Sequence, residues 1–482
     1  MKFVNNVSHY CNIFVTVAQM RITNLQRNDG LFPGKGMFLF RILCYNKCIV
    51  FYYEGSILMS LLHYIKEATA PHQAVAAGVA MLSEQGFTRL ELGTPFSLER
   101  GGRYYLTAYG TTLIAFTIGN QVTANQQFHI AAAHTDHPCL HIKPKAEITP
   151  GNYYKLNAEV YGSPILNTWL DRPLSVAGRV ALKGSDVYHP AIRLVDFRRP
   201  IATIPNLAIH MNRKVNEGIE LNKQTDLLPI LGLFEENMNR DDYFLELLAA
   251  ELAVAKEEIL DFDLYVYNAE EGCFVGSREE MISAPRLDNL TSCYALLSGI
   301  RTQQRADGIN LAILFDHEEI GSRSKQGADS ALLSMILEKI YDGLGFDRRA
   351  LSDSILNSFL FSVDVAHALH PHHAEKYDPI NQAYFNHGIV LKLNSNQRYT
   401  FDTEAVAIAQ SICEAGNVPY QKFANRSDVV GGGTLGPIIS GWLPMKTVDI
   451  GVPILAMHSA RELMGRQDQE ALEALMNCFY GA

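Results

Sequence analysis

The chain of 482 residues is 48% hydrophobic and 19% charged, the make-up of a globular protein with enough core material for more than one domain. Its formal net charge of −10 argues against nucleic acid or an anionic membrane as the main partner, because both recruit basic surfaces. A small substrate or another protein remains.

Residues 1–58 differ in character from the rest of the chain. They hold three of the eight cysteines, the aromatic patches Phe38-Leu39-Phe40 and Phe51-Tyr52-Tyr53, and a turn-like Asn28-Asp29-Gly30. They lack the ordered basic start, apolar block and small-residue cleavage site of a secretory leader. No apolar run in the chain reaches the roughly 18 residues of a membrane span. We read this stretch as an appendage, expected to be dispensable, with Met59 as the candidate start. Cysteines occur nowhere as a C-x-x-C pair, and only Cys44 and Cys48 lie close together. That gives neither a disulfide framework nor a zinc-finger spacing, so reduced thiols in a cytoplasmic protein are expected.

From Met59 an amphipathic helix pattern runs through Leu61, Leu62 and Ile65, breaks at Pro71 and resumes through Val75, Ala76, Val79 and Leu82. Strands are predicted at 104–109, 112–116 and 128–133, the last continuously apolar, as in a strand covered on both faces. Residues 145–282 carry short alternating segments, such as 155–161 and 175–182, and read as a β-rich insert with one helix over Tyr243–Leu260. After Pro285, helices near 290–301, 329–341 and 402–415 alternate with strands at 311–315, 359–363 and 453–457. This is the sequence form of an α/β fold with helices on both faces of a sheet.

Acids and histidines stand at the ends of those strands. His134 and Asp136 follow one, Glu318 and Glu319 another, Asp364 a third and His458 a fourth, while Asp288 stands at a helix start. Strand carboxyl ends in open α/β sheets share one edge, where ligands bind. Two histidines with several carboxylates form an oxygen and nitrogen set suited to zinc, manganese or cobalt. One zinc needs three or four protein ligands; the surplus points to two ions, with one carboxylate bridging. Of two adjacent glutamates, one can then bind metal while its neighbour serves as general base.

Each residue also has a plainer reading. The glutamate pair fits a solvated turn, Asp288 fits a helix cap, and Asp364 fits a turn. His370-Pro371-His372-His373 sits in a polar stretch with Glu375 and Lys376 and reads as a surface loop. Gly431-Gly432-Gly433-Thr434 lacks the Gly-Lys-Ser/Thr ending of a phosphate loop; it either lets backbone approach a peptide or simply turns.

The motifs Ala133-His134-Thr135-Asp136-His137-Pro138-Cys139-Leu140, Pro285-Arg286-Leu287-Asp288-Asn289, His317-Glu318-Glu319-Ile320-Gly321-Ser322, Asp364-Val365-Ala366-His367-Ala368-Leu369-His370-Pro371 and Ala456-Met457-His458-Ser459 resemble the aspartyl aminopeptidase family of dinuclear zinc exopeptidases. The resemblance runs from about Met59 to the C-terminus in the family's order. It implies a zinc exopeptidase-like catalytic domain, 59–144 and 283–482, split by a β-rich dimerisation domain, 145–282. It implies two divalent ions per subunit, zinc or else cobalt or manganese: His134 and Asp364 at one, Glu319 and His458 at the other, and Asp288 bridging. Glu318 matches the general base that deprotonates a metal-bound water to hydroxide, and Asp136 the aspartate orienting the first histidine. His367, Lys392 and Tyr399 match substrate-pocket positions, and His210 matches a histidine that reaches into a neighbouring subunit's site. By itself, His210 reads as an exposed strand residue, and Lys392 as a solvent-facing lysine on an edge strand.

The implied activity is release of single N-terminal residues, Asp or Glu, from peptides with a free N-terminus. The implied assembly is a homo-oligomer, the family's tetrahedral dodecamer. His137 departs from the family's frequent Ser. A metal-dependent deacylase or carboxypeptidase on the same scaffold, or an oligomeric binding or cargo protein with an idle metal site, are the alternatives.

Overall fold

The computed structural model describes residues 41–45, 48–52, 60–234 and 242–482. Its contacts divide the chain into two units, Met1–Leu58 and Met59–Ala482. In the first, the strands Arg41–Tyr45 and Cys48–Tyr52 pair antiparallel. The remaining appendage lies outside the described residues.

The second unit is a mixed α/β structure built on a nine-stranded sheet. In order across it run Tyr420–Ala424, Ile389–Leu393, Lys446–Gly451, Phe359–Val363, Phe128–His134, Ile309–Phe315, Thr112–Ile118, Arg103–Ala108 and Thr88–Arg89. The central strands are buried on both faces because their alternating side chains feed two cores. Ala131, Ala133, Ala312 and Leu314 face a core closed by the helices Pro71–Ser83, Leu287–Thr302, Thr403–Ala415 and Arg466–Gly481. Ile130, Ala132, Leu311 and Ile313 face the opposite core, closed by Leu332–Gly343, Arg348–Asn357 and Leu435–Trp442. Leu472, Leu475, Met476 and Phe479 show how sequence sets this: their i, i+3, i+4, i+7 spacing makes one apolar stripe, and all four are buried.

Ile309–Phe315 and Phe359–Val363 both run parallel to Phe128–His134. Phe315 lies opposite His134 and Ser362 opposite Ala132, so the same register brings Asp364 level with His134. Three strand ends thus open on one edge of the sheet. Beside that edge a five-stranded sheet carries Pro453–Leu455, Glu462–Gly465, Met281–Ala284, Ala366–His367 and Cys273–Val275. A six-stranded sheet within residues 139–268 surrounds its own core, with Val176, Val180, Leu264 and Val266 at its centre. Among the described residues, no helix is long and apolar enough to cross a membrane.

Two expectations need correction. The helix expected over Tyr243–Leu260 ends at Leu252, where Ala253 turns left-handed, and Ile259–Asn268 becomes a strand. Nine residue pairings with Leu174–Asp186 decide this in favour of the sheet. No strand forms around His210: residues 204–208 are irregular and 209–211 make a turn. Pro205 removes one ladder donor, and the Asp171 carboxylate accepts from the Asn206 backbone N–H and side-chain amide, both at 2.8 Å.

Candidate active site

The strand Phe128–His134 ends in His134, whose ring is buried at the shared edge. After Ile309–Phe315 the chain turns sharply, with His317 left-handed at φ 64° and Gly321 at φ 96° enclosing a single 3₁₀ turn, Glu318–Ile320. The turn points both glutamates back at His134. Asp288 opens the helix Leu287–Thr302 with non-helical angles, φ −76° and ψ 108°, which free its carboxylate from a simple capping role. His458 follows Pro453–Leu455 with φ 68°.

These segments surround a pocket of about 460 Å³. It is lined by His134, Asp288, Glu318, Glu319, Asp364 and His458, with His367, Lys392 and Tyr399 on a further wall. Asp136 lies beneath, fully buried. His210 is not in this chain's pocket and is exposed. Lys392 stands on an interior strand and is 1% exposed, which removes the reading as an edge-strand lysine. His372 and His373 are exposed, as a surface loop requires. Gly432 and Gly433 also line the pocket.

The distances fall into two groups. His134 Nε2 is 3.5 Å from Asp288 Oδ1 and 3.6 Å from Asp364 Oδ1. His458 Nε2 is 3.3 Å from Asp288 Oδ2 and 3.5 Å from Glu319 Oε2. These separations are long for hydrogen bonds. They are close to the roughly 3.4 Å edge of a tetrahedron whose ligands stand about 2.1 Å from a zinc ion. Asp288 Oδ1 and Glu319 Oε1 are buried without a hydrogen-bond partner, and ligand atoms of His134, Asp288 and Glu319 lie within 4.8 Å of one another. The donor set therefore fits a divalent cation.

Electrostatics tell the same story. Burial, reinforced by Asp364, pushes the Glu318 carboxyl up to about 8 despite His134. Burial and Asp288 hold Glu319 well above the carboxylate range. Burial opposes charge on His458, but Asp288 and Glu319 outweigh it and raise the imidazole to about 10. Asp364 moves the other way: burial would raise it, yet Lys392 and His134 bring it down to about 2. The Lys392 ammonium donates to Val365 O at 3.1 Å, lies 3.9 Å from Asp364 Oδ2 and sits 5.1 Å from the Tyr399 ring centroid.

Sequence reasoning missed two residues that stand behind the site's lining. Tyr161, on the six-stranded sheet, donates to Asp136 Oδ2 at 2.7 Å. The Asp136 carboxylate in turn accepts from the Glu318 and Glu319 backbone N–H groups, each at 3.1 Å, and lies 3.4 Å from His134 Nδ1. Glu462 accepts from the Asp288 and His458 backbone N–H groups, and burial next to Asp288 pushes it up to about 8. An acid four residues past a candidate ligand histidine was the available signal.

A family model described as aminopeptidase I zinc metalloprotease (M18) matches residues 64–480. A probable M18 family aminopeptidase 2 of Clostridium novyi (strain NT) is 45% identical over 409 residues, covering 85% of this chain and 94% of that protein. A protein of the same description from Clostridium acetobutylicum is 43% identical over 421 residues, covering 87% and 97%. Among solved structures, the cryo-EM structure of the Ape4 and Nbr1 complex contains a chain that superposes with a TM-score of 0.82 at 34% identity, covering 87% of this chain and 84% of that one. A match this long, on a chain whose pocket gathers buried carboxylates and imidazoles suited to a divalent cation, leads to one conclusion: the chain belongs to the M18 family of zinc metalloproteases and is a metal-dependent aminopeptidase.

Proposed function

We propose that this aminopeptidase releases single N-terminal residues, Asp or Glu in preference, and does so with two divalent cations held side by side. The observation that carries the reading is the pair of 3.3–3.6 Å triplets sharing the two oxygens of Asp288. On this reading His134 and Asp364 would hold one ion, His458 and Glu319 the other, and Asp288 would serve both. Zinc is the expected ion, with cobalt or manganese able to use the same donors. When bound, the pair supplies Lewis acidity that polarises the scissile carbonyl and acidifies a nucleophilic water.

Glu318 belongs to neither triplet; its Oε2 lies 4.0 Å from His134 Nε2, on the pocket side. It takes a proton from the attacking water as the O–C bond forms, and returns it to the departing amine nitrogen as the C–N bond breaks. Asp136 fixes the turn that aims Glu318 and steadies the His134 ring. Lys392 offers an ammonium to the substrate's acidic side chain, and His367 and Tyr399 shape the same wall. His210 of a neighbouring subunit donates to the carbonyl oxygen as it gains charge. Residues 145–282 form the dimerisation domain, 59–144 and 283–482 the catalytic domain, and the working form is a cytoplasmic homo-oligomer, the tetrahedral dodecamer of the family resemblance.

The test is a substrate panel. Peptides beginning with Asp, Glu, Leu and Lys, each free and acetylated, are assayed with zinc, cobalt or manganese. Fast release of Asp and Glu, abolished by acetylation, is expected. Preference for acetylated peptides would establish a deacylase instead, and equal rates across free N-termini would remove the acidic preference.

A further inference from the structure

Glu462 is a buried carboxylate for which the catalytic steps have no use. It is the first residue of the strand Glu462–Gly465 and is 2% exposed. Oε2 accepts from the Asp288 N–H at 3.0 Å and Oε1 from the His458 N–H at 2.8 Å. One side chain thus joins two segments far apart in sequence, each carrying a residue that faces the other across 3.3 Å.

Neither segment holds its shape through regular structure. Asp288 has non-helical angles at the head of its helix. His458 is left-handed at φ 68°, a conformation that non-glycine residues keep only when their surroundings impose it. The strand bearing Glu462 is fixed on both sides: Glu462 pairs with Ala284, four residues before Asp288, and Leu463 pairs with Leu455, three before His458. The carboxylate is therefore anchored between the two turns whose peptide groups it grips. Asp136 makes the same arrangement on the opposite wall, gripping the Glu318 and Glu319 peptide groups.

We propose that Glu462 is a positioning residue that presets the distance between Asp288 and His458, and with it the affinity of the cation site they share. The proposal rests on the two-cation reading above. Partners that orient ligands in this way are worth 10–100-fold in metal affinity.

Glu462→Gln separates this grip from bulk, since it keeps the volume and presents an NH2 to one of the two N–H donors. Zinc content after dialysis at fixed free zinc, and zinc affinity by competition with a chromophoric chelator, are measured on the full chain alongside secondary structure and assembly size. In a folded variant, one zinc equivalent should weaken 10–100-fold while the other stays within a few-fold of wild type, and raising zinc should recover turnover. Glu462→Asp, which keeps both acceptor oxygens but shortens their reach, should weaken the same equivalent to a smaller degree, and it carries the test if the Gln variant does not fold. Wild-type zinc affinities in either folded variant, with only the zinc-free thermal midpoint lowered, would show a purely structural role and overturn the proposal. A wild-type protein that binds one equivalent instead of two refutes the two-cation reading separately; Glu462 is then judged on that single affinity by the same comparison.

Discussion

Replacing Lys392 by Met tests the acidic preference, because the proposed function gives this lysine two separable tasks. Its ammonium spends one donor on Val365 O at 3.1 Å and, lining the pocket, has donors left for a substrate carboxylate. A hydrogen bond to a charged group is worth roughly 1.5–3 kcal/mol, or about 10–150-fold in kcat/KM for Asp and Glu substrates. The second task is to neutralise Asp364, whose Oδ2 lies 3.9 Å away; at an effective dielectric of about 20 that pairing is worth up to about 4 kcal/mol. Since Asp364 serves the proposed cation site, its loss falls on every substrate equally. The ratio of kcat/KM for N-terminal Asp over Leu therefore isolates recognition, and the Leu rate reports the electrostatic support. Met keeps the unbranched stem that fills the buried channel. Initial rates at saturating zinc should show the ratio falling 10–150-fold on top of a common loss. A common loss with an unchanged ratio would refute Lys392 as the acidic-side-chain receptor and leave it only the support of Asp364.

Glu318→Gln should bind zinc as wild type does and lose roughly 10²–10⁴ in kcat; activity within a few-fold of wild type contradicts the base assignment. Asp288→Ala should lose metal, because both of its oxygens face imidazoles, and a purified variant still carrying two equivalents by elemental analysis would end the bridging role. Removing metal should make stability pH-sensitive: with Glu318 and Glu462 both raised to about 8, their contribution is complete below the ordinary carboxylate range and is lost as pH rises through 8. The thermal midpoint of chelator-treated protein should thus drop between pH 6 and 9 relative to the zinc-loaded form, and parallel curves would sink the argument. Mixing His210→Ala with Glu318→Gln chains under subunit exchange should restore activity that neither has alone, whereas confirmed exchange without recovery rules out a shared site.

The central sheet was legible because its strands are buried on both faces and therefore read as unbroken apolar runs, as Phe128–Ala133 and Leu311–Phe315 do. The gathering of His134, Glu318, Glu319 and Asp364 at one pocket was legible for a related reason: a charged residue directly after such a run has few bland explanations. Where local pattern and long-range pairing disagree, sequence misleads. Residues 253–260 continue a helical spacing, yet the ladder with Leu174–Asp186 claims them from Ile259 onward. His210 sits in an alternating segment, yet Pro205 and the grip of Asp171 on Asn206 leave a turn. Tyr161 was hidden because its partner is a carboxylate 25 residues away; Glu462 joins a peptide group 174 residues away to one only four residues away, and its place just past His458 was the one local hint.

What unites the visible and the hidden residues is charge. Asp136, Asp288, Glu318, Glu319, Asp364 and Glu462 crowd around His134, His458 and Lys392. Two carboxylates about 4 Å apart repel by about 4 kcal/mol at an effective dielectric of 20. A fold that gathers so many needs compensation. Lys392 supplies it for Asp364, and hydrogen bonds supply it for Asp136; elsewhere the bare pocket favours protons on Glu318 and Glu319 and on the two imidazoles. Those are the wrong protonation states for a base and for ligands. Divalent charge at the same place would reverse each of them, favouring Glu318 as an anion and both imidazoles as neutral donors. On the proposed reading, the crowding that destabilises the bare pocket is the same feature that selects a cation and prepares the base, and the amide grips of Asp136 and Glu462 keep the carboxylates from relieving their repulsion by moving apart.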